Sequence, residues 1–329
     1  MKRLVEIVRS FADRRIVVTG DAIADQFVYG NISRVSREAP VFILRHEQTT
    51  TVPGGAANCA MNLAALGARV SLIAAVGADE AGRELRAKLE TAGVDIGGVV
   101  VSEKIQTTTK VRILAGQSHS NRQQVIRIDY EGTPIAEGEI RESIINALRQ
   151  RLTSAEALVI SDYNYGVIDD RLVGLIRESH NKPVLVDSRF RLSELTGFTA
   201  ATPNEDEVEH LIDDSITSTE QLEHAAKTLK EKLNHEALLV TRGAQGMMLL
   251  ADSAAPLHIP AVGSQQSVDV TGAGDTVIAT FALAVASDAS FADAAHLANY
   301  AGGLVVMKRG TASVSAGELE HAILNSENN

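Results

Sequence analysis

The sequence predicts an α/β fold in which a mostly parallel β-sheet is flanked by helices and accompanied by a small second β-sheet. Short runs rich in Val, Ile and Leu alternate with helical segments over most of the 329 residues. This alternation is typical of a parallel sheet covered by helices on both faces. Two stretches, 26–51 and 107–129, interrupt it with near-alternating polarity, which is typical of antiparallel strands.

Six short apolar runs are predicted to be the strands of the parallel sheet. The first begins at Arg15 and is a β-branched run that Gly20 stops, as expected of a buried parallel strand. The others lie at 70–74, 157–160, 184–186, 198–201 and 237–240. Parallel strands place their carboxyl ends at one edge of the sheet, and we therefore expect ligands to bind at that edge.

Helical periodicity and end signals predict the helices between these strands. Asp79 is expected to cap a helix over 79–91. Thr217 and Glu220 have the spacing of a capping box for another helix. Further helical segments are predicted at 57–66, 137–152, 169–179, 273–286 and 291–307.

The two interrupting stretches leave the α/β core and return to it, and we expect them to pair into one small sheet. Over the carboxyl edge, this sheet would be a lid that excludes water from reactive phosphates. A structural or dimerising hairpin is the alternative, since an exposed sheet edge needs cover. No long linker is present, so we expect one domain over 1–329 with a lid formed by 26–51 and 107–129.

Composition and charge disfavour several classes of protein. The chain has 31 Lys and Arg against 42 Asp and Glu, and its net charge of −11 disfavours a nucleic-acid partner. No apolar segment has the form of a signal peptide or of a membrane span, so we expect a cytoplasmic protein without a membrane partner. No Gly-Lys pair exists, which excludes a Walker A loop. The single cysteine, Cys59, is expected in the core.

The strongest functional signal is the segment Asp269–Thr276, which directly precedes an apolar helix. Gly272 and Gly274 let the backbone turn sharply and approach a ligand. The amides of Ala273, Gly274 and Asp275 would then point out of the helix N-terminus and form an anion hole for a phosphate. Asp275 lies where a base accepts a hydroxyl proton during phosphoryl transfer. A plain aspartate cap is the alternative.

Two further segments are placed to bind a hydroxylated ligand. Gly54 and Gly55 allow close backbone approach at a helix start, where the Asn58 side chain offers a donor and an acceptor. Asp21 and Asp25 follow the first strand, and their carboxylates can accept hydrogen bonds from sugar hydroxyls. An ordinary first helix turn explains the glycines as well, and a loop cap explains Asp21.

Two segments late in the chain are placed to bind a nucleotide and its metal. Asn204 and Glu207 share one face of a first helix turn. Glu207 can hold a water of Mg²⁺, and a capping box with Asn204 is a compatible interpretation. The turn from Thr241 through Gly243 to Gly246 can cradle nucleotide phosphates, although a hairpin turn explains its glycines equally well.

Three of these segments, in this order and spacing, resemble the ribokinase (PfkB) family of carbohydrate kinases: Gly54-Gly55-x-x-Asn58, the Asn204/Glu207 pair and Gly272-Ala273-Gly274-Asp275. The resemblance covers nearly the whole chain. It implies a ribokinase-like fold with a β-lid, often a homodimer through the lids, and the use of ATP and Mg²⁺. It also allows for a monovalent cation such as K⁺ beside Asp269. The implied roles are Asp275 as the base, Gly272 to Gly274 as the anion hole, Asp21, Gly55 and Asn58 as sugar ligands, Asn204 and Glu207 in ordering Mg²⁺ and phosphates, and Thr241, Gly243 and Asn299 in the ATP site.

Stretches 33–41 and 123–129 resemble the heptose 7-phosphate kinases of this family. They imply transfer of the γ-phosphoryl group of ATP to the anomeric hydroxyl of a heptose 7-phosphate. Cations for the phosphate already on the sugar would come from the lid, from Arg34 and Arg127 beside Arg37 and Arg122, although a solvated surface explains these arginines as well. Asp187-Ser188-Arg189 stands where those kinases carry Asp-Pro-Lys. Another sugar, sugar phosphate or nucleoside as the acceptor, or a non-catalytic sensor, therefore stays open.

Overall fold

The structure of the chain, a computed structural model, describes residues 2–116, 122–132, 135, 138–178, 182–251, 255–263 and 268–326. Residues 137 and 179 of two predicted helices, and residues 117–121 of the second predicted lid stretch, lie outside this part. Within it, nine strands form a large sheet, four strands form a small sheet, and helices cover both faces of the large sheet.

The elements are numbered in chain order. The strands are β1 (Arg15–Gly20), β2 (Ala22–Val35), β3 (Phe42–Gly55), β4 (Arg69–Gly77), β5 (Asp95–Ser102), β6 (Thr109–Gly116), β7 (Gln123–Tyr130), β8 (Ala157–Asp162), β9 (Val184–Ser188), β10 (Ala200–Ala201), β11 (Ala237–Thr241), β12 (Met247–Ala251) and β13 (Leu257–Ile259). The helices are α1 (Lys2–Arg9), α2 (Ala56–Ala65), α3 (Glu80–Thr91), α4 (Glu139–Leu152), α5 (Asp170–Glu178), α6 (Glu205–Ile212), α7 (Thr219–Leu233), α8 (Ala273–Ala286), α9 (Phe291–Val305) and α10 (Ala316–Asn325). None of the helices in the described ranges is long and apolar enough to cross a bilayer.

The large sheet has the strand order β13-β12-β11-β10-β9-β8-β1-β4-β5. Neighbouring strands from β5 to β11 run parallel. β12 and β13 are added antiparallel at one edge, so the turn after β11 is a hairpin turn. All six predicted strands lie in this sheet, which confirms the predicted α/β fold with a mostly parallel sheet.

Two helix layers bury the large sheet, because successive side chains of a strand point to opposite faces. Along β1, Val18 packs with the layer of α1, α2, α3, α8, α9 and α10, whereas Val17 packs with the layer of α4 to α7. Burial on both faces explains why the strands are continuous apolar runs rather than alternating ones. Cys59 is fully buried in α2, as expected of a core residue.

Helix caps confirm one prediction and correct another. Asp79 caps α3, and its side chain accepts a hydrogen bond of 2.8 Å from the amide of Gly82. The capping box of α7 consists of Ser218 and Gln221, so the predicted box of Thr217 and Glu220 is wrong by one residue. The Gln221 side chain accepts hydrogen bonds from the amides of both Thr217 and Ser218. These bonds favour a helix that starts one residue later than the predicted one.

The small sheet joins the two stretches that interrupt the α/β alternation, and its strand order is β3-β2-β6-β7. β2 pairs with β3 in an antiparallel hairpin and with β6 in parallel, and β6 pairs with β7 in a second hairpin. β2 begins directly after Asp21, and β3 ends directly before α2. The β2–β3 hairpin of the small sheet therefore starts and ends at the carboxyl edge of the large sheet.

Candidate active site

A cleft of about 650 Å³ lies between the small sheet and the carboxyl edge of the large sheet. The ends of β8, β9 and β11, the start of α6 and the start of α8 line it from below, and β2 and β6 line it from above. Its charged lining consists of the carboxylates Asp25, Asp162, Asp187, Asp206, Glu207 and Asp275 and of the cations Lys110, Arg112 and Arg189. Acidic groups outnumber basic ones, so the cleft favours an anion that arrives with its own metal cation.

Asp275 is in the first turn of α8 and is 4% exposed. Its Oδ2 accepts a hydrogen bond of 2.8 Å from the Asn58 side-chain amide, and its Oδ1 accepts one of 2.9 Å from the Tyr163 hydroxyl. Burial raises the pKa of Asp275 to about 6, although these two hydrogen bonds favour the ionised form. A carboxyl group with this pKa is suited to accept a proton near neutral pH.

Asn58 contacts the protein rather than the open cleft. Its side-chain amide also approaches the carbonyl oxygen of Gly272 at 3.4 Å, and its oxygen accepts a hydrogen bond of 3.1 Å from Asn62. Asn62 in turn accepts one of 3.0 Å from the Thr276 hydroxyl. The predicted sugar ligand therefore belongs to a buried chain of side chains that ties α2 to α8.

The start of α8 keeps two amides for a ligand. Gly272 adopts a left-handed conformation with φ of 79°, and a Cβ there would lie 2.6 Å from the Asn58 amide nitrogen. The amide of Ala273 donates to the carbonyl of Val270 at 3.2 Å. The amides of Gly274 and Asp275 have no hydrogen-bond partner among the described residues. Of the three amides predicted to form the anion hole, two are thus available to a ligand.

Asp21 lies beneath the cleft, not in its lining. Its carboxylate accepts hydrogen bonds from three backbone amides, those of Tyr163 at 2.9 Å, Tyr165 at 3.0 Å and Val167 at 3.1 Å. Its contacts differ from those expected of a sugar ligand, because the loop after β8 already occupies the carboxylate.

The upper wall of the cleft carries a buried ion pair between Asp25 of β2 and Arg112 of β6. A Cβ at Gly54 would collide with the Asp25 carboxylate, so the glycine leaves the space that the Asp25 side chain occupies. Gly55 has φ of 57° and lines the cleft beside Asp25. The structure thus brings Asp25, Gly54 and Gly55 together at one end of the cleft.

The two predicted lid cations lie outside the lining of the cleft. Arg34 is exposed near the far end of β2. Arg127 of β7 bonds Asp129 through two of its nitrogens, each at 2.8 Å. Lys110 and Arg112 of the neighbouring strand β6 line the cleft instead. Successive side chains of a strand point to opposite faces, so sequence alone did not distinguish these positions.

Lys110 is half-buried and forms no ion pair within the described ranges. Its ammonium group lies 5.5 Å from the ring centre of Tyr163 and 5.9 Å from that of Tyr165. Burial lowers the pKa of Lys110. A half-buried lysine above two aromatic rings, without a carboxylate partner, is suited to receive an anionic group.

Carboxylates gather at the side of the cleft nearest to α6. Asn204 and Glu207 form the capping box, with hydrogen bonds of 2.8 and 2.9 Å. Burial, together with the charges of Asp275 and Glu207, raises the pKa of Asp187 well above its usual range. Burial also raises the pKa of Glu207. Carboxylates in this environment are stabilised by a nearby cation.

Asp269 lies in the segment before α8. Its two carboxylate oxygens accept hydrogen bonds from the amides of Thr271 at 2.9 Å and Gly310 at 3.0 Å. The residue therefore links the start of the anion hole to the turn after α9. No group of three or more His, Cys, Asp or Glu side chains arranged to hold a metal ion is found among the described residues.

A second, mostly apolar pocket of about 210 Å³ adjoins the cleft and shares Thr241, Gly243, Val270 and Gly274 with it. The structure brings four of the five predicted nucleotide-site residues together in its lining, namely Thr241, Gly243, Gly246 and Asn299, whereas the fifth, Asn204, lines the adjoining cleft. The Asn299 side chain donates to the carbonyl of Pro260 at 2.8 Å, which holds the wall of the pocket. A flat apolar ligand such as an adenine base fits this position beside the cleft.

Several residues of the site are not among the predicted ones. Asp162 ends β8 and Tyr163 follows it, so the rule that ligands bind at the carboxyl ends of parallel strands could have found them. Gly302 and Gly303 line the apolar pocket from inside α9. Two glycines in a helix interior are costly, which is a sequence signal for close packing. Lys110 and Arg112 carry no such signal.

Comparison with known proteins agrees with the family resemblance and the fold. A family model described as pfkB family carbohydrate kinase matches residues 13–316. The bifunctional protein HldE of Hahella chejuensis is 41% identical over 315 residues, which cover 95% of this chain and 64% of that protein. The bifunctional protein HldE of Caulobacter vibrioides is 41% identical over 324 residues, covering 96% of this chain and 65% of that protein. The chain thus spans less than two thirds of the length of these relatives.

Solved structures share the architecture. Ribokinase of Arabidopsis thaliana, complexed with ribose and ATP, aligns with a TM-score of 0.75 at 22% identity and covers 94% of this chain and 99% of its own. Phosphofructokinase-2 of Escherichia coli, in complex with potassium, aligns with a TM-score of 0.78 at 19% identity and covers 96% of this chain and 99% of its own. At these identities the likeness concerns the fold, which is ribokinase-like.

Proposed function

Since this chain belongs to the pfkB family of carbohydrate kinases, we propose that it transfers the γ-phosphoryl group of ATP to a hydroxyl group of a sugar phosphate. The observation that carries the proposal is the position of Asp275. Its carboxylate lies at the floor of the cleft, in the same helix turn as two amides without described partners. The apolar pocket that suits a nucleotide base begins beside it.

In this proposal the residues of the chain move a proton and hold the reacting groups. The acceptor hydroxyl gives its proton to Asp275 while its oxygen bonds to the γ-phosphorus. The bond between that phosphorus and the bridging oxygen breaks, and ADP leaves. The amides of Gly274 and Asp275 stabilise the charge of the transferred phosphoryl group. Because the pKa of Asp275 is about 6, most of this carboxyl group is ionised at pH 7.

The donor atoms at the cleft fit a nucleotide that binds with Mg²⁺. Mg²⁺ is usually held by one or two carboxylates together with phosphates and waters, and Asp187 and Glu207 offer such oxygens. The Thr202 and Thr311 hydroxyls are buried and have no partner in the described ranges, so they can donate to phosphate oxygens. When bound, the metal would neutralise charge on the β- and γ-phosphates.

We also propose a monovalent cation, K⁺, near Asp269. The carboxylate oxygens of Asp269 keep lone pairs beyond the two amides they accept, and oxygen atoms are the ligands of such ions. Turnover measured in K⁺ and in tetramethylammonium buffers tests the proposal. Equal rates in the two buffers would refute the proposed K⁺ site.

For the acceptor, we propose a heptose 7-phosphate that is phosphorylated on its anomeric hydroxyl. The support is the resemblance of the sequence to heptose 7-phosphate kinases and the presence of three cations in the cleft. Arg112 already pairs with Asp25, whereas Lys110 and Arg189 form no described ion pair. These two side chains flank the Tyr163 ring, and they are the cations we assign to the phosphate of the acceptor.

We propose that the small sheet acts as the lid of this cleft and as the surface of a homodimer. It exposes large apolar side chains, a feature of interaction surfaces. They are Val35, Val41, Phe42, Val125, Ile126, Ile128 and Tyr130. Sedimentation of the wild type at micromolar concentration should give the mass of two chains, and Phe42→Lys with Ile126→Lys should give that of one. A monomeric wild type would contradict the dimer.

A panel of acceptors tests the proposed function. ADP release is measured with Mg-ATP and heptose 7-phosphate, the unphosphorylated heptose, fructose 6-phosphate, ribose, fructose or adenosine. The heptose phosphate should give the highest kcat/KM. A clear advantage for any unphosphorylated sugar would refute the assignment of Lys110 and Arg189, and binding of sugar and ATP without turnover would indicate a sensor.

A further inference from the structure

The loop of residues 163–167, between β8 and α5, is held from two sides by buried charges. Its amides at Tyr163, Tyr165 and Val167 donate to the Asp21 carboxylate, and Asp21 is 2% exposed. Its carbonyls at Gly166 and Val167 accept hydrogen bonds of 2.6 Å from Arg141, which is also 2% exposed. A loop whose backbone is bonded to two buried charged groups keeps a single conformation.

This loop presents Tyr163 to the base. The Tyr163 hydroxyl donates to Asp275 at 2.9 Å. The same ring lies under the Lys110 ammonium group at 5.5 Å and the Arg189 guanidinium group at 5.8 Å. Tyr163 is thus the side chain in contact with both the base and the cations assigned to the acceptor phosphate.

We propose that Asp21 and Tyr163 are positioning residues: Asp21 fixes the 163–167 loop, and the Tyr163 hydroxyl holds the Asp275 carboxylate in the orientation that receives the acceptor's proton. The inference rests on the proposed function. It moves Asp21 from the predicted sugar ligands to the support of the base.

A pH profile separates this role from a purely structural one. The groups that face Asp275 are Tyr163 from the loop, Asn58 and Cys59 from α2, Asp25 from β2, and Asp187 and Arg189 from β9 and the turn after it. A hydroxyl that donates to the ionised carboxylate favours ionisation, so its removal raises the pKa of Asp275. The acid limb of kcat/KM then moves to higher pH, since the base must be ionised.

The test is Tyr163→Phe, which keeps the ring under the two cations and removes only the hydroxyl. We expect the acid limb to rise by about one pH unit, which lowers activity about fivefold at pH 6 and about twofold at pH 7. Activity should recover at pH 8, and KM for the acceptor should stay unchanged. Tyr165→Phe is the matched control, because the Tyr165 hydroxyl has no hydrogen bond among the described residues.

Asp21→Asn tests the other half of the unit. The substitution keeps the size of the side chain but offers an N–H group where a backbone amide now donates. If Asp21 acts through Tyr163, its variant shows the same upward shift, and the double variant shows no more than Tyr163→Phe alone. A sugar ligand would instead give a higher KM for the acceptor at every pH and an unshifted limb. If Asp21→Asn does not fold, as judged by circular dichroism, Tyr163→Phe decides alone.

The outcomes separate this inference from the proposed function. A wild type that phosphorylates no sugar phosphate refutes the proposed function. An active wild type whose acid limb is unmoved by Tyr163→Phe, or moved equally by Tyr165→Phe, refutes the positioning role and leaves the kinase assignment standing.

Discussion

Charged side chains at the carboxyl edge of the large sheet are more buried than Lys110 and the side chains of β7 in the small sheet, which also holds the buried pair of Asp25 and Arg112. At the carboxyl edge of the large sheet, Asp275 and Asp21 are buried and each carboxylate accepts two or three protein hydrogen bonds. On the small sheet, Lys110 has no ion pair among the described residues, and all side chains of β7 are exposed. Proton transfer needs one fixed geometry, whereas acceptor recognition needs charges that are free to meet a ligand. The comparison places the proposed base at the large sheet, whereas the cations proposed for the acceptor come from both sheets, Lys110 from β6 and Arg189 from the turn after β9.

The largest expected effect tests the large-sheet side. Asp275→Asn should lower kcat by roughly 10²–10⁴ while ATP still binds, because the carboxamide cannot take the proton. Single-turnover kinetics and ATP titration measure the two quantities.

Asp293→Asn is the matched control for this substitution. Asp293 holds the same position in the first turn of α9 that Asp275 holds in α8, but it bonds Ser290 and Arg3 outside the cleft. Its substitution should leave kcat within a factor of about two. A near-normal kcat in Asp275→Asn would end the assignment of the base.

The next effect tests the small-sheet side. Lys110→Met keeps most of the length and apolar contact of the side chain and removes its charge. The KM of the acceptor phosphate should rise about 10- to 100-fold, with little change in the KM of ATP, since a hydrogen bond to a charged group is lost.

Arg34→Met serves as the contrast, because Arg34 is exposed outside the cleft lining. Steady-state kinetics with both substrates varied measure the effect. A larger KM change in Arg34→Met than in Lys110→Met would restore the arginine site predicted from sequence.

A pair of glycine substitutions measures how tightly the large-sheet side is packed. A Cβ at Gly303 would collide with the carbonyl oxygen of Val262, so Gly303→Ala should lower the free energy of unfolding by about 1–3 kcal/mol. A Cβ at Gly302 would lie 3.3 Å from a methyl group of Val277 and 3.6 Å from that of Met247, both at the ends of side chains. Gly302→Ala should be near neutral, because helix propensity gains about 1 kcal/mol. Urea unfolding of both variants checks the ranking, and equal losses would contradict the tight fit at Gly303.

The smallest effect is expected at the outer strand of the small sheet. Arg127 is half exposed and pairs with Asp129 on its own strand. Arg127→Gln should change the free energy of unfolding by less than about 0.5 kcal/mol, and the acceptor KM by less than about twofold. A tenfold rise in that KM would show that the lid closes far enough for Arg127 to reach the ligand.

The parts of the fold that depend on local pattern are predictable from sequence. Buried parallel strands are continuous apolar runs, and the glycine-rich start of α8 follows from Gly272 and Gly274, which lie immediately before and within the first turn of this apolar helix. The nucleotide-side residues Thr241 and Asn299 follow from the family resemblance, and both line the apolar pocket.

The parts that depend on tertiary contacts are not predictable in this way. Asp21 and Asn58 have the residue types of sugar ligands, yet both are bonded to protein, because the loop after β8 and helix α8 approach them from far along the chain. Lys110 lines the cleft and Arg127 does not. Which of the two faces the cleft depends on the pleat of each strand and on the order of the strands in the small sheet, and neither can be read from composition. Tyr163 owes its place to the three amides that Asp21 binds.

The single cysteine gives the protein an internal reporter. Cys59 adjoins Asn58, is fully buried, and has a pKa that burial raises well above the usual value for a thiol. Because only the thiolate reacts with alkylating reagents, the folded chain should resist modification. Labelling then requires α2 to separate from its neighbours. The rate of alkylation therefore reports how often α2, which carries Asn58 beside Asp275, opens, and no probe has to be introduced.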